Sequence, residues 1–247
     1  MKKTISAMLF TAAALLSPSA YATPSTQIWI PSTDIQKYKT VHLNLDSYLV
    51  MQNNADGTRK APQSVIGPTV GILPFEKIQM EAGVDLIYQG SAALDNYPLY
   101  LHGKVGTPED AWFTHSPAVA VGLYNAGVKK DLTNQNMFYG LAAKTLPVAG
   151  RLSAGYYIGN DKVLLDEKGD KASDGLLLSW DRTMKEISDK LWFCVDYQGG
   201  QSALGALNFG FSWAFSENTS VLFGYDVFNN KDAAGKNTAT VQVDINF

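Results

Sequence analysis

Few residues in this chain have the type and spacing for chemistry. There are three histidines, His42, His102 and His115, and a single cysteine, Cys194. A zinc site takes three or four ligands from a small volume, which in sequence reads as His-Glu-x-x-His or a comparable His/Cys cluster. Neither pattern occurs. His42 and Asp46 stand four residues apart and His102 falls in a similar alternating segment. An interior metal site built from them competes with the plainer reading of unrelated polar wall residues.

A hydroxyl nucleophile needs an imidazole within hydrogen-bond reach, and the adjacent pair His115-Ser116 sits in a connection where the two are contiguous. Gly235-Lys236-Asn237-Thr238 lacks the upstream glycine and the hydroxyl residue of a phosphate loop. Asn54-Ala55-Asp56-Gly57 has part of a calcium loop, yet Gln52 and Gln63 stand where the first and last carboxylates belong. Asp166-Glu167-Lys168-Gly169-Asp170 reads as a solvated loop tip, with cation or lipopolysaccharide contact as the second reading. No catalytic residue, cofactor or metal is therefore expected.

The elements that must position the remaining polar groups are strands. In Thr238 to Phe247, Val241, Val243, Ile245 and Phe247 alternate with Thr240, Gln242, Asp244 and Asn246, so each set lies on its own face of an extended chain. The same alternation recurs upstream. Val41 to Val50 sets Val41, Leu43, Leu45 and Leu49 against His42, Asn44, Asp46 and Tyr48. Ser64 to Ile72 follows, with Pro68 as an objection, since a proline deprives a ladder of a donor; a bulge at that point is expected to accommodate it. Ile78 to Tyr88 and Leu204 to Phe215 show the pattern most clearly, the latter with Leu207, Phe209, Phe211, Trp213 and Phe215 on one face. That face is too aromatic for water.

About twelve such segments fit the chain. Long polar connections near Gln52, Gln89, Gly127, Asn160, Gly199 and Asn229 alternate with shorter ones at Leu73, Leu146, Thr183 and Ser216; only the connection carrying Trp112, Phe113 and His115 breaks the asymmetry. Two aromatic bands are expected, Tyr88, Tyr97, Tyr197 and Phe228 at one level and Trp180, Trp213, Phe215 and Phe247 at the other.

The start reads differently. Met1-Lys2-Lys3, an apolar run from Ala7 to Leu16 and the exit Ala20-Tyr21-Ala22 describe a secretory signal peptide over residues 1–22. The run is too short for a membrane-spanning helix, which takes roughly 20 apolar residues. Residues 23–39, with Ile28-Trp29-Ile30-Pro31, show no period and form an extended N-terminal segment that either tucks into an interior as a plug or lies at a rim; residues 40–247 hold the strands.

Losing Lys2 and Lys3 takes the formal charge of −3 to −5, which argues against a nucleic-acid partner. One cysteine allows no internal disulfide. Charged residues make up only 17% while mean hydropathy is −0.08, the balance expected when lipid-facing and lumen-facing residues average out.

The ending on Phe247, the repeated alternation, the loop asymmetry and the signal peptide together resemble the bacterial outer-membrane β-barrel (porin-like) proteins, without matching a characterised family. The resemblance implies an all-β fold, a closed antiparallel transmembrane β-barrel of about 12 strands in the outer membrane. It also implies a C-terminal strand read by the barrel-assembly machinery, and contact with outer-membrane lipid and lipopolysaccharide. In such a barrel the alternation points Asp46, Glu81, Asp85, Asp181, Asp196, Asp226 and Asp244 inward against Lys104, Lys144, Arg151 and Lys190. Acidic excess in a confined wall favours cations, unless these groups pair across a closed interior. Two functions follow: a narrow passive channel for small solutes or ions, mildly cation-preferring, or a closed structural or adhesion barrel whose outer loops bind a partner. The final strand should pair with Thr219 to Phe228 on one side and Val41 to Val50 on the other.

Overall fold

The computed structural model describes residues 25–247; the segment read as a signal peptide lies outside the described residues. Twelve strands run antiparallel: β1 (Val41–Val50), β2 (Gln63–Gly71), β3 (Gln79–Tyr88), β4 (Leu99–Thr107), β5 (Ala118–Gly127), β6 (Asn134–Leu146), β7 (Gly150–Ile158), β8 (Asp174–Thr183), β9 (Leu191–Gln198), β10 (Ala206–Ala214), β11 (Thr219–Phe228) and β12 (Thr238–Asn246). Each pairs with its sequence neighbours, and β1 pairs with β12, so the sheet closes into a barrel.

The seam is where the alternation placed it, with Leu45 opposite Val243 and Ser47 opposite Val241. On its other side β12 sets Val243 against Val221. Closure leaves no free edge, which is what allows a sheet to stand in hydrocarbon. Period two explains the two surfaces. Along β10, Leu207, Phe209, Phe211 and Trp213 are exposed while Ala206, Asn208 and Ser212 are buried. Rings at 5.7–5.9 Å link Phe193, Phe211 and Phe223 across three strands of the outer face. At nine or ten residues, most strands have the length a tilted strand needs to cross a bilayer.

One end carries the connections 51–62, 89–98, 128–133, 159–173, 199–205 and 229–237, among them the single-turn helices α1 (Ala92–Asp95) and α2 (Lys231–Ala234). We call this the loop end. At the opposite, short-turn end lie 72–78, 147–149, 184–190 and 215–218, together with the longer 108–117.

Three local expectations are corrected. No bulge forms at Pro68: β1 and β2 pair straight through it, Leu43 opposite Pro68, and the register with β3 is the same at Ile66–Leu86 and Thr69–Gly83. The pairing to β3 simply lapses at Gly67 and Pro68, which removes the demand for the missing donor. The irregularities fall instead in β5 and β6, around Asn125 (φ 53°) and Asn136 (φ 47°), in the left-handed region that asparagine tolerates. Phe228 does not join an outer aromatic band; it is 9% exposed and faces the interior. Lys144 shares the outward parity of Phe138 and Ala142 and sits at the short-turn rim, 2.9 Å from Glu109 and 3.6 Å from Asp110.

Candidate functional site

The interior is organised by residues 25–36, which lie inside the barrel, while Lys37, Tyr38 and Lys39, which lead into β1, are exposed. Gln27 N–H donates to the Ile30 carbonyl at 2.7 Å and Ser32 N–H to that of Ser25 at 3.2 Å, folding the strap into a tight hairpin with Ile28 and Trp29 at its tip. Backbone donors in such a hairpin need partners wherever water is excluded. Asp196 on β9 supplies them: its Oδ2 accepts from Ile28 N–H at 2.7 Å and Trp29 N–H at 2.9 Å, while Oδ1 accepts from Asn208 at 2.6 Å. Gln242 donates to the Ile28 carbonyl at 2.8 Å.

Farther along, Arg151 bridges Asp34 of the strap (2.7 Å) and Asp181 of the wall (2.9 Å). Lys104 donates to the carbonyls of Ser25 (3.1 Å) and Ser32 (3.0 Å). Glu81, 3.5 Å from Lys104, accepts from Ser25 Oγ and Gln36 N–H. The strap reaches the wall at Gly71, where a Cβ would stand 1.9 Å from the Lys37 carbonyl oxygen; only glycine permits that approach.

The apolar side chains of the strap change the lumen around them. Ile30 packs with Met137, Tyr139, Leu141, Tyr157, Leu164 and Leu177, and Ile28 with Trp192, Cys194 and Leu222. Each buried isoleucine contributes about 1.5–3 kcal/mol, and the wall facing them is apolar to match.

The strap leaves space along the β1–β4 side. An inner chamber of about 150 Å³ is lined by His42, Asn44, Asp46, Thr69, Asp85, His102 and Tyr124, with Ser25, Pro31, Glu81 and Lys104 also on its wall. An outer chamber of about 150 Å³ lies toward the loop end, lined by Lys60, Gln89, Gln135, Leu164, Ser202 and Lys236 among others. Both share Trp29, Tyr48, Gln63 and Leu204. In the inner chamber Asp46 accepts from Asn44 at 3.2 Å, and among the described residues no cation pairs with it.

Three strands converge on a hydroxyl, an imidazole and a carboxylate. His102 lies opposite Gly83, which lies opposite Thr69. Because Gly83 carries no side chain, the ring crosses β3: Nε2 is 2.8 Å from Thr69 Oγ1, and Nδ1 is 2.8 Å from Asp85. A Cβ on Gly83 would stand 2.3 Å from that Nε2, and one on Gly67 2.4 Å from Asp85 Oδ1. The carboxylate sets the tautomer, so Nε2 accepts from the threonine. This bridge from β4 to β2 crosses β3 at a paired position next to the lapse at Gly67 and Pro68.

Of the residues read as inward, Glu81, Lys104, Asp181, Asp196, Asp226 and Asp244 are buried on the inner face, and Asp46, Asp85 and Arg151 are half-buried there. Lys144 and Lys190 are rim residues. His42 does not meet Asp46; it lies 3.1 Å from Asn246 and 3.5 Å from Asp244. Asp226 accepts from Thr238 at 2.6 Å. Among the described residues no group of three His, Cys, Asp or Glu side chains could hold a metal.

No protein-family model matches the chain, and no curated protein matches its sequence. Solved structures do. The KdgM porin in complex with disordered oligogalacturonate superposes with a TM-score of 0.50 at 9% identity, over 83% of this chain and 99% of the other. The KdgM porin alone gives 0.50 at 10% identity, over 84% and 99%. An outer membrane channel from Pseudomonas putida F1 gives 0.46 at 10% identity, over 86% and 97%. The two KdgM likenesses show the fold: a closed barrel of the outer-membrane porin type.

Proposed function

We propose that this protein is an outer-membrane channel of small bore, passing small solutes or ions with a mild preference for cations and doing no catalysis. The observation that carries the reading is the pair of adjoining chambers that share Trp29, Tyr48, Gln63 and Leu204, the inner one bordered by Asp46 and Asp85. Among the described residues the only ammonium on that chamber's wall, Lys104, is already engaged with Glu81 and the strap. Confined negative charge without a mobile counter-group draws cations. Twelve strands lie between barrels filled by their side chains and barrels with an aqueous bore, and the strap takes up part of that width. KdgM is described with an oligogalacturonate, a polyanion; the acidic inner wall of this chain argues for a different solute.

Against an enzyme, the Thr69 hydroxyl belongs to a residue 1% exposed and serves as donor in a bridge that ties β4 to β2 beside a lapse in the ladder. A second reading has its own support: the inner chamber is floored by Ser25, Thr26, Pro31, Glu81 and Lys104, so a barrel kept shut by its strap, with loops that bind a partner, follows from the same contacts. The assembly machinery through β12 and lipopolysaccharide at the loop end are the partners proposed with either. Planar-bilayer recording separates the two. Stepwise currents with a cation-selective reversal potential in a salt gradient are expected; silence from folded protein refutes the channel, and anion selectivity refutes the charge argument.

A further inference from the structure

We propose that Trp29 is the specificity-determining residue of the route, the side chain that sets which solutes pass from the outer chamber to the inner one. The inference deepens the channel reading and rests on it only for what happens beyond the inner chamber. Of the four residues common to both chambers, Trp29 alone comes from the strap; Tyr48, Gln63 and Leu204 belong to the wall and a loop. The indole is held by three contacts. Its Nε1–H donates to the Leu204 carbonyl at 3.0 Å, its ring meets Tyr48 edge-on at 5.2 Å and Phe228 at 5.9 Å, and its backbone N–H is held by Asp196.

A large planar ring held by three partners on a backbone anchored by a fourth is a rigid partition, so passage is decided by the gap beside it. The inner chamber beyond it is bordered by Asp46 and Asp85, so the solutes admitted are compact cations. A tethered alanine at position 29 would keep the backbone anchors and merge the two chambers into one.

Access can be read without current. Asp46→Cys places a thiol in the inner chamber, and the natural Cys194, buried at 1% and in neither chamber wall, gives the background in the parent chain. Methanethiosulfonates added to folded protein probe the neck: an ethylammonium reagent, its bulkier ethyltrimethylammonium analogue and an ethylsulfonate anion. With Trp29 present, the trimethylammonium reagent should react roughly tenfold more slowly than the ammonium one, since pore width governs passage, and the anion more slowly than either. Trp29→Ala should bring the two cations close together, and Trp29→Phe, which keeps a ring, should fall between; a heat-modifiable gel shift verifies that each variant is folded.

An unchanged ratio of cation rates on removing the indole overturns the proposal, as does a thiol that no reagent reaches in any variant. Labelling that depends on Trp29 without any bilayer current would leave the neck standing and refute the channel. Current with labelling indifferent to Trp29 would do the reverse.

Discussion

Asp196 holds the tip of the strap through two backbone amides, and removing it gives the sharpest test of what fills the lumen. In Asp196→Ala, Ile28 and Trp29 lose their acceptor at 2.7 and 2.9 Å, and each buried amide left unpaired costs about 1–3 kcal/mol. Losing the Asn208 contact adds to this, whereas no longer burying a carboxylate offsets part of it. A net loosening of the tip by about 2–3 kcal/mol is expected, and at 1.4 kcal/mol per factor of ten this is a roughly 30- to 140-fold rise in opening. Hydrogen exchange on peptides covering residues 25–36, in detergent-folded protein, measures it directly. Asp196→Asn keeps an acceptor oxygen and should exchange at an intermediate rate. Protection in Asp196→Ala equal to that of the parent chain would refute the claim that this carboxylate anchors the strap.

Other perturbations follow from the same contacts. Gly83→Ala puts a methyl 2.3 Å from His102 Nε2 and 2.5 Å from the Pro68 carbonyl, so it should destabilise the folded barrel by about 1–3 kcal/mol, seen as a lower midpoint in urea. His102→Ala should cost a comparable amount by opening the β2–β4 bridge, and slowed loss of the heat-resistant gel form in that variant would contradict the bridging role. Lys104→Met breaks a buried pair with Glu81 and frees two strap carbonyls; about 3–5 kcal/mol is expected, and an unchanged urea midpoint would show that the pair contributes nothing. At the loop end, the Asp56 carboxylate accepts from Thr58 Oγ1 and N–H, which lowers its pKa from the ordinary aspartate value. That turn is therefore intact at neutral pH and opens as pH falls through the lowered value; Thr58→Ala should move the Asp56 titration, followed by NMR, upward.

Period-two alternation made the strands, the seam and the two faces of β10 and β12 legible, because each face answers to a single environment. It failed where the strap changes that environment. On β6 both faces look apolar in sequence: Phe138 and Ala142 turn to lipid while Met137, Tyr139 and Leu141 turn inward to Ile30. Lys144 therefore follows the outward parity of Phe138 and Ala142 although the alternation points it inward. Phe228 turned inward for the same reason, since Trp29 receives it. The bridge of Thr69, His102 and Asp85 joins residues 33 and 17 positions apart on three strands; its one signal in the sequence was the spacing of Gly67 and Gly83 around Pro68. Contacts between the strap and Asp196 span more than 160 positions and leave no local trace.

The seam between β1 and β12 also constrains the order of assembly. The strap leads directly into β1, and Gln36 is hydrogen-bonded to Asn246, the last residue of β12. A cylinder sealed before its contents arrive would need the Trp29 hairpin to be threaded through an opening already crowded by Glu81, Lys104 and Arg151. If the sheet instead curls around the strap, the wall residues find their partners while the edges are still apart, and the final zippering of β12 onto β1 locks the cargo in place. The barrel is then wrapped around its contents, and its first described residues act as the mandrel for its last.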